Sequence, residues 1–151
     1  MNQTSDIKCD LLIIGAGMTG MAAAVFAANR KIKTVLVGIT SEMIFASGLL
    51  DLLGVYPIEK GQPISDPWQG ITNLIQDNPD HPYAKIPAAT IQKAYAELIE
   101  YLNATGLTYT RHNDRNALIL TPTGTLKPSY YIPQTMWAGV QAYESKAPGL
   151  I

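Results

Sequence analysis

Cysteine and histidine are almost absent from this chain of 151 residues, which has one of the former, Cys9, and two of the latter, His81 and His112. A single cysteine makes no internal disulfide and has no C-x-x-C partner, so a disulfide scaffold and a thiol-based metal or redox pair are excluded. Charge is scarce as well. Asp, Glu, Lys and Arg supply 15% of the residues, where an ordinary domain has about 25%. Much of the surface therefore either meets a partner or belongs to long neutral loops. The net charge of −1 leaves no basic stripe to neutralise phosphates, and nucleic-acid binding is not expected. No uninterrupted apolar run approaches the roughly 20 residues of a membrane span, and Met1 does not open a basic start followed by an apolar stretch. A cytoplasmic, soluble protein is expected, with any attachment to the inner membrane made through partner subunits.

What the chain does have is an apolar run that ends in glycines, Leu11-Leu12-Ile13-Ile14-Gly15-Ala16-Gly17-Met18-Thr19-Gly20. Branched apolar residues without polar alternation predict a strand buried on both faces, as in a parallel sheet. The Ala-rich stretch that follows predicts a helix from Thr19 to Arg30. In a G-x-G-x-x-G turn of this kind Gly15 permits the sharp exit from the strand, Gly17 lets a pyrophosphate approach bare backbone, and Gly20 packs the helix closely on the strand. The unpaired amides of the first helical turn, at the positive end of the helix dipole, form an anion site. Gly15, Ala16, Gly17, Thr19 and Gly20 are thus candidate phosphate contacts. The competing reading is a tight connection that binds nothing.

Thr34 to Gly38 reads as a second parallel strand and completes a Rossmann-like βαβ unit. The Asp or Glu that usually ends this strand and accepts the ribose hydroxyls is missing. Its place is taken by Gly38, and the first carboxylate beyond is Glu42. A bound dinucleotide must hold its adenosine ribose otherwise, through backbone or Ser41; failing that, the ligand lacks adenosine, as flavin mononucleotide does, or the site has decayed. Further on, Ser47 and Gly48 sit within an apolar segment. Either they approach a cofactor, with Asp51 orienting the segment, or Ser47 caps a short helix whose Leu49, Leu50, Leu52 and Leu53 are core. The local pattern favours the helix.

Downstream, Asp66 and Pro67 make a helix start, N-cap and first helical position, for a helix reaching Asp77. The run Asn78-Pro79-Asp80-His81-Pro82 breaks it. His81 reads as a turn histidine more readily than as a proton carrier near a flavin. Ile91, Tyr95, Leu98, Ile99 and Leu102 define one face of a helix from Thr90 to Asn103, with Gly106 near its end. Strands are expected over residues 107–110 and 117–121, joined by a polar hairpin tip that carries His112, and an extended piece over 125–131. Lys127 reads as a solvated loop charge before it reads as an anion contact. From Pro133 onward no capping signal or closing strand is evident.

The glycine motif, Phe45-Ala46-Ser47-Gly48-Leu49-Leu50-Asp51-Leu52-Leu53, His81-Pro82-Tyr83 and Leu120-Thr121-Pro122-Thr123-Gly124-Thr125-Leu126 closely resemble, in order and spacing, the N-terminal part of the B subunit family of anaerobic glycerol-3-phosphate dehydrogenase. The S-G-x-L-D-L-L and T-P-x-G-T-L segments make the match specific. The resemblance implies a flavoprotein related to the flavin subunits of fumarate reductase and succinate dehydrogenase. It also implies two partners, a larger flavin subunit and an iron–sulfur subunit that attaches the complex to the membrane and passes electrons to quinone. The cofactor it implies is a flavin, FMN or FAD, with FMN fitting the missing acid at Gly38. Members of the family extend far beyond residue 151. The expected fold is therefore α/β: an incomplete Rossmann-like FAD/NAD(P)-binding parallel sheet in residues 1–57, an inserted α+β element in 58–131, and the start of a truncated segment in 132–151. The expected reaction is oxidation of glycerol 3-phosphate to dihydroxyacetone phosphate. No catalytic acid or base and no metal ligand can be named; the cofactor contacts are the five turn residues with Ser47 and Gly48. The alternatives are a noncatalytic electron-relay or interaction subunit and a nicotinamide-dependent dehydrogenase.

Overall fold

A computed structural model describes residues 6–39 and 47–145. The roles weighed for Ser41 and Glu42 fall outside these residues. The chain forms two compact units, the first ending at Ser47 and the second beginning at Gly48.

In the first unit β1 (Leu11–Ile14) leads through the glycine turn into α1 (Met18–Asn29) and on to β2 (Thr34–Val37). The strands pair in parallel, Leu11 opposite Thr34 and Ile14 opposite Val37. The expected strand, helix and strand are all present within about one residue. Alanine makes the helix both favourable and slim: Ala27 is buried, and small side chains let the axis lie close to the sheet. One expectation is corrected. The first strand is not buried on both faces, since Leu12 is 53% and Ile14 83% exposed, and Val37 on β2 is 54% exposed. The physical reason is the sheet's width: among the described residues it has two strands, which leave little to cover the face away from α1.

The second unit contains α2 (Pro67–Asp77), α3 (Ala88–Ala104), β3 (Tyr109–Thr110), β4 (Ala117–Leu120), β5 (Leu126–Ser129), β6 (Ile132–Pro133) and α4 (Gln134–Glu144). Its core gathers Ala117 and Ile119 of β4, Ile132 of β6 and Val140 of α4, with Leu49 and Trp137 packed against them. The start of α2 is as expected: the Asp66 carboxylate accepts from the amides of Trp68 and Gln69 at 3.1 and 3.0 Å, satisfying two of the donors a helix start leaves over. Helix α3 carries the expected face, whose members are half-buried, and Gly106 follows it with φ +87°.

Strand pairing differs from expectation. Residues 107–110 and 117–121 do not form a hairpin: β3 pairs with β6 and β4 with β5, both antiparallel. The connection around His112 is a tight turn of its own, closed by the Arg115 amide on the His112 carbonyl at 3.1 Å. The true hairpin turns at Pro122-Thr123-Gly124. There Gly124 takes φ +80°, the Thr125 carbonyl receives the Thr121 amide, and the Thr121 hydroxyl lies 2.8 Å from that of Thr125. A two-register choice of this kind rests on which partner buries Ile119 and Ile132, and local pattern does not carry that information.

The short helix with Ser47 as its cap is also absent. Gly48 has φ +75°, and Leu50 instead exchanges both backbone hydrogen bonds with Tyr131 at 3.0 Å. The next three carbonyls are taken by side chains from elsewhere: Asp51 by the Tyr95 hydroxyl at 2.7 Å, Leu52 by the Tyr83 hydroxyl at 3.2 Å, and Leu53 by the Asn116 amide at 2.8 Å. These carbonyls bond to side chains distant in sequence in place of a helical ladder. The segment is apolar, as its composition predicts, but not helical. Helix α4 was not foreseen either; Pro133 precedes its first residue with φ −53°, and its Val140 is fully buried.

Candidate cofactor site

The glycine turn has the geometry of an anion cradle. Gly15 leaves β1 with φ +112°, a conformation costly to any residue with a Cβ, while its amide still bonds to the Val37 carbonyl at 2.7 Å. Ala16 is buried at 5% exposure. Gly17 is the N-cap of α1 in an extended conformation and, having no side chain, offers no capping oxygen; the first turn contains no acidic residue. Neither the cap residue nor the first turn of α1 itself supplies a carboxylate to the amides at the positive end of its dipole. Gly20 is required for space: a Cβ there would run into the carbonyl oxygen of Gly15 and stand 3.5 Å from Ile13 Cγ2. The structure thus brings Gly15, Ala16, Gly17, Thr19 and Gly20 together on one turn, where the Gly15 amide is committed to Val37. No carboxylate stands at Gly38, the end of β2.

Ser47 and Gly48 flank the boundary between the two units along the chain. Within the second unit the Gly48 carbonyl accepts the Tyr109 hydroxyl at 2.7 Å, and a Cβ on Gly48 would come within 3.4 Å of Pro133 Cγ. That is ordinary contact, and glycine is favoured there by its φ of +75°.

The ionisable side chains that sequence reading singled out are structural. His81 accepts the Tyr83 amide on Nδ1 at 3.1 Å and lies 5.2 Å from the Tyr83 ring, the turn role expected of it. His112 is half exposed, with Nδ1 3.0 Å from a Glu144 carboxylate oxygen. Lys127 stands on β5 and not in a loop, and its partly exposed ammonium pairs with Asp51 at 2.6 Å, tying the 48–53 segment to the hairpin.

A polar cluster that sequence reading missed centres on Tyr130, 2% exposed. Its hydroxyl accepts from Trp68 Nε1 at 3.2 Å and from Arg111 Nη1 at 2.7 Å, and donates to Asp114 at 3.2 Å. The Arg111 guanidinium lies over the Tyr130 and Tyr131 rings at 5.7 and 5.4 Å. The partners are up to 62 residues apart, so no local pattern announces them. Burial holds the ionisation of Tyr83, Tyr95, Tyr109 and Tyr130 above the usual tyrosine value. These phenols are neutral donors at pH 7, not bases. Among the described residues no three His, Cys, Asp or Glu side chains converge as a metal site would require, and no helix is long and apolar enough to cross a membrane.

The sequence family described as FAD binding domain matches residues 10–147. The chain belongs to that family, and its helices and small parallel sheet are those of an α/β FAD-binding domain. Among curated relatives it is 36% identical over 137 residues to the probable anaerobic glycerol-3-phosphate dehydrogenase B subunit of Halobacterium salinarum, which covers 89% of this chain and 30% of the relative. It is 32% identical over 123 residues to the anaerobic glycerol-3-phosphate dehydrogenase B subunit of Aliivibrio fischeri, covering 80% and 27%. The protein of that name from Vibrio vulnificus is 31% identical over 126 residues, covering 82% and 28%. The chain therefore spans no more than about a third of the length of these relatives, and the resemblance read from the motifs agrees with their names. No solved structure matches the chain.

Proposed function

We propose that this chain is the flavin-binding N-terminal part of the B subunit of a quinone-linked anaerobic glycerol-3-phosphate dehydrogenase, which oxidises glycerol 3-phosphate to dihydroxyacetone phosphate. The observation that carries the reading is the acid-free glycine cradle, found in a chain of the FAD binding domain family whose relatives bear that enzyme's name. In this reading residues 1–57 start a Rossmann-like domain whose remaining strands lie elsewhere in the protein, residues 58–131 are an insertion, and 132–151 open a further segment. The backbone amides from Ala16 to Gly20 hold the flavin's phosphate, with Gly15 shaping the turn and the dipole of α1 favouring the charge. Ser47 and Gly48 are further contacts of the flavin. When bound, the flavin supplies a two-electron acceptor for alcohol oxidation. The absence of a carboxylate at Gly38 supports FMN over a dinucleotide and weighs against a nicotinamide cofactor. A larger flavin subunit and an iron–sulfur subunit at the inner membrane are the proposed partners.

Titration of the purified chain with FMN and with FAD, followed by quenching of flavin fluorescence, tests the reading. Saturable binding is expected. A chain that is folded by circular dichroism and binds neither flavin overturns it. A second reading, an electron-relay or interaction subunit without catalysis of its own, is favoured by the scarcity of charge, 15% of the residues, and by a parallel sheet of two strands among the described residues. Reduction of the bound flavin by glycerol 3-phosphate in the reconstituted complex, lost when only the partner's flavin is removed, would favour that reading.

A further inference from the structure

We propose that Gly38 is a positioning residue of the phosphate cradle, and that the end of β2 is closed by steric contact to the carboxylate that reads ribose hydroxyls in other nucleotide sites. The inference rests on the cradle reading above and extends it to what the site admits. Gly38 is not among the glycines with positive φ, so conformation does not demand glycine here. Space does. A Cβ on Gly38 would stand 2.6 Å from Ala16 Cβ and 3.0 Å from Ala16 Cα, and closer still to the Ala16 nitrogen. These neighbours are backbone and a Cβ, with no flexible side-chain end that might swing away.

The strand register explains the approach. Ile14 lies opposite Val37, and the Gly15 amide bonds to the Val37 carbonyl at 2.7 Å, so the next residue of β2 is carried onto the next residue of the turn. On the other flank Gly20 meets the Gly15 carbonyl just as closely. Gly15 and Ala16 are therefore held between a helix glycine and a strand glycine. Any L side chain at position 38, acidic or not, displaces Ala16 and opens the cradle. The missing acid is a requirement of the turn and not a vacancy that Asp could refill. The ligand class that follows is a nucleotide held by its phosphate, with no diol contact from residue 38.

The test compares the 151-residue chain with Gly38→Ala, Gly38→Asp and, as a control at an exposed neighbour, Ile39→Ala. The Ala16 amide resonance is followed by NMR, and FMN and ADP-ribose are titrated. Both Gly38 variants are expected to move the Ala16 resonance and to weaken FMN binding at least tenfold, with no gain of ADP-ribose binding in Gly38→Asp; Ile39→Ala should leave all three readouts near those of the parent. Unfolding of the first unit in Gly38→Ala while Ile39→Ala stays folded reports the same conflict at larger amplitude. An unmoved Ala16 resonance in folded Gly38→Ala, or tenfold tighter ADP-ribose binding by Gly38→Asp, overturns the inference. If the parent binds no FMN but Gly38→Ala still moves Ala16, the flavin reading fails and the packing role of Gly38 stands.

Discussion

At the scale of single residues, the cradle depends on side chains that are not there. Gly17 opens α1 without a capping oxygen, which leaves the helix-start amides to a ligand. Gly17→Ala places a methyl group where the phosphate is proposed to lie, and FMN affinity should fall at least tenfold, about 1.4 kcal/mol, with the far-ultraviolet dichroism unchanged. Full retained affinity would displace the phosphate from this turn. Gly20→Ala acts differently, because its Cβ meets the Gly15 carbonyl in the folded chain whether or not a ligand is bound. It should destabilise the first unit by about 1–3 kcal/mol, as overpacking does, measured as a lower urea midpoint of that unit without ligand. Asp66→Ala removes two cap bonds from α2 and should cost about 1 kcal/mol, with Asp66→Asn recovering most of it.

At the scale of elements, legibility followed the range of the interactions. The βαβ unit was readable because its signals, a branched run, a glycine turn and an alanine helix, are each local and agree with one another. The start of α2 was readable for the same reason. The segment after Gly48 was not, because Tyr83, Tyr95 and Asn116 take its carbonyls from far along the chain. Nor was the pairing of β3 with β6, which joins Tyr109 to Pro133 across the hairpin that intervenes. The core that decides this pairing is small. Ile132 has no exposed surface and belongs to one cluster with the β4 and α4 residues, so Ile132→Ala should cost about 2–5 kcal/mol. A loss below about 1 kcal/mol in thermal or urea unfolding, outside the range for a buried isoleucine, would show that the core lies elsewhere.

At the scale of the whole molecule, pH is the sharpest probe of the second unit. Tyr83, Tyr95, Tyr109 and Tyr130 are held neutral by burial. Tyr56 is pushed up to about 12, chiefly by the hydrogen bond of its hydroxyl to Asp77 at 2.5 Å. Unfolded tyrosines ionise near 10. Above that pH the unfolded chain binds fewer protons than the folded one, so stability falls as pH rises. The contribution is whole below about pH 10 and is lost as pH climbs through the raised folded values. Urea midpoints should therefore be insensitive to tyrosine ionisation below about pH 10 and decline steeply beyond it, while Tyr95→Phe reduces that slope. A flat midpoint from about pH 9 to 12 would contradict the buried hydroxyl network.

The sequence by itself determined the glycine turn and the helix that follows it, because these depend on residues within one βαβ unit of each other, and it determined the family, because order and spacing of motifs along the chain are read without folding. Only tertiary structure decided why Gly38 is glycine, since the reason is contact with Ala16, 22 residues earlier in the chain. The same holds for the 48–53 segment and for Tyr130. Their conformation and ionisation are set by partners that folding brings near, and burial turns polar groups that look ordinary in sequence into committed hydrogen-bonding sites.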